Sequence, residues 1–137
     1  MEVVLLVDSD EEERRGIMEI LKGAGYQVLE ARDRAEALAV ISDWPQALVV
    51  VAEEAPPGPA PELLVALRQA TRAPIVVIGD EREVTEVGAL LFGADYYDRR
   101  PLLPALLVAR VRSLFRRWAG DPEKGPGQEG GPGQQGE

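Results

Sequence analysis

Two acidic segments, each placed directly after an apolar run, are the residues of this sequence best suited to chemistry. Asp8, Ser9 and Asp10 follow the apolar residues 3–7, and Glu53 begins a second acidic segment after residues 47–52. Both runs are short and rich in valine, which is typical of strands buried on both faces of a parallel sheet. Because parallel strands end at the same edge of a sheet, we expect the two acidic segments to meet there.

Carboxylates gathered at one edge have two ordinary uses. Their oxygen atoms suit Mg²⁺, which prefers hard oxygen ligands. An acid just after a strand also caps the helix that follows, and this is the favoured interpretation of residues 8–10. The first helix is expected to begin there, with Ser9 or Asp10 as its cap.

Composition narrows the classes of function. The 137 residues suffice for one domain and leave no room for a second catalytic module. With 15 basic and 24 acidic residues the net charge is −9, which argues against direct binding to nucleic acid. The sequence lacks cysteine and histidine, so disulfides, thiol chemistry and the commonest general base are excluded and an enzyme is not expected.

The apolar runs also bear on location. No run approaches the length needed to span a bilayer, and the first residues lack the basic start of a signal peptide. The sequence therefore predicts a cytoplasmic protein without a membrane-bound part.

Periodicity predicts five strands alternating with five helices in residues 1–118. Asp33 and Glu36 have the spacing of a capping box before the second helix, and Pro61 suits the first turn of the third. This alternation predicts an α/β fold with a doubly wound parallel sheet and right-handed crossovers. In residues 119–137, ten of nineteen residues are glycine or proline, which predicts a flexible tail outside the core.

Four segments in this order resemble the receiver domain of bacterial two-component response regulators, over residues 1–118. They are VVLLVDSD, PPG, APIVVIG and FGADYYDRRPL. The closing PALLVARVRSLFRR is similar to the last receiver helix of regulators that carry a winged-helix output domain. The resemblance implies a CheY-like, flavodoxin-like sheet of strand order 2-1-3-4-5. It also implies signalling partners, either a sensor kinase or an output protein.

The phosphoacceptor position departs from the family. There, a kinase transfers a phosphoryl group to an aspartate at the end of the third strand, with Mg²⁺ held by that aspartate and by the acids after the first strand. Counting back from the Pro-Gly pair puts Glu53 at this position, whereas counting forward from Pro45 puts Val51 or Ala52 there. Neither count gives an aspartate.

This sequence also differs from the family at the acidic pair and at the hydroxyl residue of the phosphorylation pocket. Asp8 matches the first member of the acidic pair, but Ser9 is a neutral and poor Mg²⁺ ligand that Asp10 replaces only in part. Gly79 stands where the family has a hydroxyl residue that bonds the phosphoryl group. Tyr97 keeps the aromatic switch position. We therefore expect no cofactor and weak or absent Mg²⁺ binding, with Tyr97 packed rather than rotating.

Arg100 replaces the lysine that precedes a proline in the family. A guanidinium can bridge two carboxylates where an ammonium is a single point charge. We expect Arg100 to enter the pocket and to pair with Asp8, Glu53 or both, since clustered carboxylates without a metal would repel one another. As in the family, the Arg100–Pro101 bond is expected to be cis.

The last helix implies a homodimer, because regulators with similar helices pair through the fourth helix, fifth strand and fifth helix. The charged part of such a contact is expected from Asp95, Arg110, Arg112 and Arg116. Basic residues near the end of a helix are equally ordinary complements of its dipole.

Three hypotheses of function remain from the sequence. The first is a degenerate receiver that acts by protein–protein contact without accepting a phosphoryl group. The second is a phosphoacceptor receiver that uses an unusual acidic residue. The third is a flavodoxin-like domain that binds a small molecule, which is disfavoured because residues 8–11 lack a Ser/Thr/Gly-rich phosphate loop.

Overall fold

A computed structural model describes residues 2–52 and 61–119, apart from the side chains of residues 83, 84 and 119. Five strands and five helices alternate along this part of the chain. The strands are β1 Val3–Val7, β2 Gln27–Ala31, β3 Leu48–Ala52, β4 Ile75–Gly79 and β5 Tyr96–Arg99. The helices are α1 Glu11–Gly23, α2 Arg34–Asp43, α3 Pro61–Ala70, α4 Glu83–Leu91 and α5 Pro104–Ala119.

All strand pairs are parallel, and the order of the sheet is β2-β1-β3-β4-β5. The predicted doubly wound sheet of order 2-1-3-4-5 is confirmed. Val7 of β1 lies opposite Val51 of β3, and Ala52 lies opposite Ile78 of β4. The carboxyl ends of the three central strands are therefore level, and the side chains that follow them share one edge.

The sheet separates two apolar layers because successive side chains of a strand point to opposite faces. On one face Val4 and Leu6 of β1 pack with residues of α1 and α5. On the other face Leu5 and Val7 pack with residues of α2, α3 and α4. Every residue of β1, β3 and β4 is buried, as expected for strands covered by helices on both sides.

Acidic caps begin the first two helices. Asp10 Oδ1 accepts a hydrogen bond from the N–H of Glu13 at 2.9 Å, which confirms the cap interpretation. Asp33 caps α2 in the same way, through the N–H of Glu36 at 2.9 Å. The return bond of the predicted capping box differs, because Glu36 accepts from the N–H of Arg32 at 2.8 Å.

The predicted element bounds differ from the observed ones by a few residues. The apolar pattern predicts a last helix over about Leu103 to Trp118, but the observed helix begins at Pro104 and the Leu103 side chain is exposed. The domain boundary predicted at residue 118 falls in the last turn of α5, and the predicted tail lies outside the described residues from residue 120 onward. Within the described ranges, none of the helices is long and apolar enough to cross a membrane.

Candidate functional site

The carboxyl end of β1 buries an acid. Asp8 is 1% exposed, and its N–H donates to the carbonyl oxygen of Ala31 at 3.0 Å, which holds the backbone beside β2. Its Oδ1 accepts from the N–H of Asp10 at 2.9 Å. Its Oδ2 is buried and has no hydrogen-bond donor among the described residues. A carboxylate oxygen left in this way is costly, so the site favours a proton on Asp8.

Glu13, in the first turn of α1, is the acid that faces Asp8. Burial, together with the hydrogen bond to the Glu13 side chain, raises the pKa of Asp8 to about 8. Burial acts to raise the pKa of Glu13 as well, but hydrogen bonds from Arg100 and Asp8 outweigh it and lower that pKa overall. Burial and the facing Glu13 carboxylate therefore favour the protonated form of Asp8, whereas Arg100 favours the charged form of Glu13.

Arg100 supplies the positive charge. Its Nε and Nη2 donate to the two carboxylate oxygens of Glu13, both at 2.9 Å. The side chains of Arg100 and Glu13 are 22% and 24% exposed, so the ion pair is partly shielded from water. This bidentate contact joins α1 to the segment after β5, across 87 positions of sequence.

The Arg100–Pro101 bond is cis, as expected. The carboxylate that binds Arg100 among the described residues is Glu13 rather than the predicted Asp8, which is buried at the end of β1. The other predicted partner, Glu53, lies outside the described residues.

The end of β3 shows where one of the two candidate phosphoacceptor positions lies, the one obtained by counting forward from Pro45. The strand ends at Ala52, which is fully buried, and Val51 precedes it within the strand. Asp8 follows Val7, the partner of Val51, so Asp8 and Ala52 stand level at the edge. The residue at the end of the described strand therefore carries only a methyl group.

Mg²⁺, the ion that the family uses, does not fit the described residues. Ser9 is exposed, and the Asp10 carboxylate is used as the cap of α1. Asp8 is buried and its pKa is raised, and Glu13 is bound by a guanidinium. Within the described ranges, no group of three or more acidic side chains is placed to hold a metal ion.

Gly79 and Tyr97 occupy the next position along the edge. Tyr97 is 8% exposed, and its hydroxyl donates to the carbonyl oxygen of Asp80 at 2.8 Å. Burial, with the nearby charge of Asp80, raises the pKa of Tyr97 to about 12. The aromatic ring lies directly over Gly79, in the space that a side chain at that position would fill.

Asp95, predicted for a dimer contact, is used within the chain. Its Oδ2 accepts from the N–H of Ile75 at 2.8 Å and from Arg68 Nη1 at 3.0 Å. These bonds hold the starts of β4 and β5 together at the amino edge of the sheet. The carboxylate of Asp95 thus stabilises the fold, and the dimer role of this partly exposed side chain stays a prediction.

The arginines predicted with it lie on different surfaces. Arg110 donates to both carboxylate oxygens of the buried Asp98, at 2.6 and 3.4 Å, and its guanidinium lies 4.3 Å from the ring centre of Tyr96. Its pKa is raised, chiefly by the hydrogen bond to Asp98. Arg112 instead donates to the carbonyl oxygen of Ala24 beside α1. Arg116 is exposed. These residues do not form one charged face.

The sequence analysis missed two residues of this edge. Glu13 is one of the acids in the first turn of α1, which suit the start of any helix. Its contact with Arg100 was not predicted. Arg14 is 8% exposed and donates to the carbonyl oxygen of Asp8 at 2.9 Å and to Glu30 at 2.8 Å. The one available signal was position, since both lie within six residues of Asp8.

No protein-family model matches the sequence. The transcriptional regulatory protein CpxR of Klebsiella pneumoniae is 34% identical over 118 residues, which cover 85% of this chain and 50% of CpxR. The chain therefore spans about half the length of this relative.

Two solved structures have a similar fold. A two-component response regulator from Clostridium difficile has a TM-score of 0.74 at 24% identity, covering 85% of this chain and 98% of its own. The chemotaxis protein CheY4 of Vibrio cholerae has a TM-score of 0.68 at 26% identity, covering 83% and 98%.

The strand order of the sheet and the similarity in sequence together identify a receiver domain. It is of the kind found in the response regulators of two-component signalling.

Proposed function

We propose that this receiver domain acts by protein–protein contact in two-component signalling without accepting a phosphoryl group. The observation that carries the proposal is the bidentate ion pair between Arg100 and Glu13, the acid that faces the buried Asp8. In this arrangement the positive charge that a phosphoryl group would need already binds an acid of the chain itself.

The chemistry of acyl phosphate formation supports the proposal. The reaction needs a carboxylate nucleophile and a cation to offset the charge of the transferred group. The described end of β3 offers the methyl group of Ala52, and Glu13 competes with any phosphoryl group for Arg100. Gly79 has no hydroxyl to bond a phosphoryl oxygen. Each of these features disfavours formation of the acyl phosphate. Mg²⁺ binding is also proposed to be weak or absent.

The domain is accordingly proposed to be a binding module and not an enzyme. Its partners are proposed to be signalling proteins, either a sensor kinase or an output protein, and its location the cytoplasm. The relative CpxR is a transcriptional regulatory protein about twice as long as this chain, so contact with nucleic acid is not proposed for this domain.

Intact-mass spectrometry after incubation with acetyl phosphate and Mg²⁺ tests the proposal. The expected result is an unchanged mass under conditions that phosphorylate a receiver with an aspartate at the end of its third strand. A stable gain of one phosphoryl group, lost in the Glu53→Gln variant, would establish the alternative of an unusual acidic acceptor. Ala52→Asp is the matched control, since it places a carboxylate at the strand end without changing Glu53.

A homodimer through α4, β5 and α5 is a second element of the proposal. Apolar side chains of α4 and α5 on this surface are exposed, among them Val87 at 47%, Leu91 at 79% and Leu106 at 45%. Since Arg110 and Asp98 are paired within the chain, the apolar residues would carry such a contact.

Sedimentation equilibrium tests the dimer. Leu91→Glu is expected to weaken self-association, while Val65→Glu, at a partly exposed apolar position on α3, is the matched control and should leave it unchanged. A parent protein that stays monomeric at high concentration would refute this element.

A further inference from the structure

A groove lies at the amino edge of the sheet, beside the last turn of α5. It consists of two hollows, of about 250 Å³ and about 420 Å³. Both hollows are lined by Trp118 of α5 and by Arg72 of the loop before β4, so they adjoin one another. We refer to the two hollows together as the Trp118 groove.

The groove has an apolar lining. Pro45 and Ala70 line the smaller hollow, and Pro74 and Leu114 line the larger one. Trp118 is itself partly buried against the apolar layer between the sheet and α1 and α5. A hollow with such a lining and a few charged groups is typical of a site that binds an apolar group of a ligand together with a polar one.

Positive charge exceeds negative charge at the groove. One acid, Asp95, lines the larger hollow, but its carboxylate is paired with Arg68 at 3.0 Å. Arg72 and Arg117 also line this hollow, and neither has an ion-pair partner in the part of the chain that the structure describes. Two guanidinium groups without a described carboxylate therefore face one hollow, in a chain whose net charge is −9.

Arg117 is held in place by Tyr96. Its Nη2 donates to the Tyr96 hydroxyl at 2.9 Å, and its guanidinium lies 5.8 Å from the centre of the Tyr96 ring. A guanidinium has several N–H donors, and the described residues accept from only one of those of Arg117. The other donors can bind a carboxylate with little further ordering of the side chain, which lowers the entropic cost of binding.

An acidic peptide segment fits these features better than other anions do. Carboxylates form short, charge-assisted hydrogen bonds with guanidinium groups, and an apolar side chain between two acids would contact Leu114 and Trp118. A small inorganic anion would leave the apolar lining unused. A nucleic acid would bring many phosphates close to a chain of net charge −9, which repels them.

We propose that the Trp118 groove binds an acidic segment of a partner protein, whose carboxylates pair with Arg72 and Arg117 on either side of an apolar residue. The inference rests on the proposed function, since a domain that acts by protein–protein contact needs a surface for its partner. It adds which surface this is and the chemistry of the segment that it recognises. The groove lies at the opposite edge of the sheet from the Arg100–Glu13 pair.

Nuclear magnetic resonance titration of the full chain with an acetylated and amidated Glu-Leu-Glu peptide tests the site. Saturable shifts are expected for the side-chain signals of Trp118 and the backbone amides of Arg72 and Arg117, and a Gln-Leu-Gln peptide should cause none. Arg72→Gln and Arg117→Gln are each expected to weaken binding about fivefold, because each removes one exposed ion pair. The absence of saturable shifts with Glu-Leu-Glu would overturn the proposal.

Arg116→Gln is the matched control. It removes the same charge from α5 one position earlier, and Arg116 lines neither hollow. The peptide should bind this variant as tightly as the parent. All three variants should fold like the parent, because the three arginines are exposed. Equal weakening in the three variants would overturn the proposal, since binding would then reflect overall charge and not the groove.

Three further outcomes would overturn the proposal by giving the groove another occupant. Inorganic phosphate that binds more tightly than the peptide would make it a site for small anions, and a thymidine oligonucleotide that does so would make it a site for nucleic acid. Asp121 and Glu123 follow α5 in the sequence. Peptide binding seen only in a variant with Asp121→Asn and Glu123→Gln would assign the groove to acids of this chain.

The two proposals fail in different measurements. A mass gain with acetyl phosphate would refute the proposed function and leave the peptide titration unaffected. A titration without shifts would refute the inference about the groove and leave the mass unchanged.

Discussion

Two arginines stand at opposite edges of the sheet, and their surroundings differ. At the amino edge, Arg68 donates to four acceptors in the loops before β4 and β5: the carbonyl oxygens of Gly93, Thr71 and Ala73 and the carboxylate of Asp95. At the carboxyl edge, Arg100 donates both of its described bonds to a single carboxylate, that of Glu13. One guanidinium joins loops of the main chain, and the other neutralises an acid.

The difference shows which edge is built for stability. Around Arg68 each acceptor has its donor, as is usual for buried polar groups of a fold. At the carboxyl edge Asp8, which faces Glu13, is buried with one oxygen lacking a donor among the described residues, and its pKa is raised. We infer that the hydrogen bonds of the amino edge are structural, whereas the carboxyl edge buries an acid that is not fully satisfied.

The largest expected effect comes from breaking the amino edge. Arg68→Ala removes a donor from three carbonyl oxygens and from the Asp95 carboxylate, which keeps only the N–H of Ile75, so we expect it to lower the free energy of unfolding by about 3 kcal/mol. Urea denaturation measures the change. Arg68→Lys should restore little of it, because an ammonium cannot reach several acceptors through a planar fork.

Arg72→Ala is the matched control for this edge. Arg72 is exposed four residues further along the chain, and its removal is expected to change stability by less than about 0.5 kcal/mol. Equal losses in the two alanine variants would contradict a structural role for the Arg68 bonds.

A smaller effect is expected at the carboxyl edge. Arg100→Ala removes a partly shielded ion pair and should cost about 1–2 kcal/mol, between the values of exposed and buried pairs. Added Mg²⁺ should not restore the loss, because burial still raises the pKa of Asp8. Thermal or urea unfolding with and without Mg²⁺ tests both expectations.

A double-mutant cycle with Glu13→Gln isolates the pair. Arg15→Ala provides the comparison, since the Arg15–Glu11 pair has side chains 61% and 74% exposed and should contribute little. A coupling energy for Arg100 and Glu13 no larger than that of the exposed pair would remove the distinction drawn between the two edges.

The fold was predictable from local patterns. The apolar runs of β1 and β3 and the acidic cap at Asp10 depend on neighbouring residues alone, so the sequence analysis placed them correctly. The order of the strands followed from the resemblance and from the rules of parallel connection. The predicted limits of the helices were less accurate, as at Leu103 before the last helix. The first and last residues of a helix depend on caps and contacts rather than on periodicity.

The partners of charged residues were less predictable. The sequence analysis placed Arg100 near Asp8, but the choice of Glu13 depends on how the first turn of α1 presents its side chains. Asp95 was assigned to a dimer contact because of the resemblance of the last helix. Its partner within the chain, Arg68, lies 27 positions away on α3, and no local pattern joins the two. Such pairings are set by the packing of elements.

The smallest expected effect concerns pH and sharpens the contrast between the edges. The folded protein binds a proton at Asp8 more tightly than the unfolded chain, since its pKa is raised from 3.8 to about 8. Between these two values the folded state holds more protons, so stability falls as pH rises. The contribution of Asp8 is fully present below about pH 4 and is lost by about pH 8.

Asp8→Asn should remove this dependence, because an amide keeps a hydrogen-bond donor toward Glu13 at every pH. We expect the variant to gain stability relative to the parent as the pH rises from 5 to 8. Glu13 affects stability with the opposite sign, because its lowered pKa makes the protein less stable as the pH falls. The two variants are therefore compared only above pH 4.5, the ordinary pKa of a glutamate. Asp43→Asn, which makes the same change of charge at an exposed site, is the control. If urea unfolding gave the parent and Asp8→Asn the same slope with pH, the proton would not belong to this acid, and the carboxyl edge would be as fully satisfied as the amino edge.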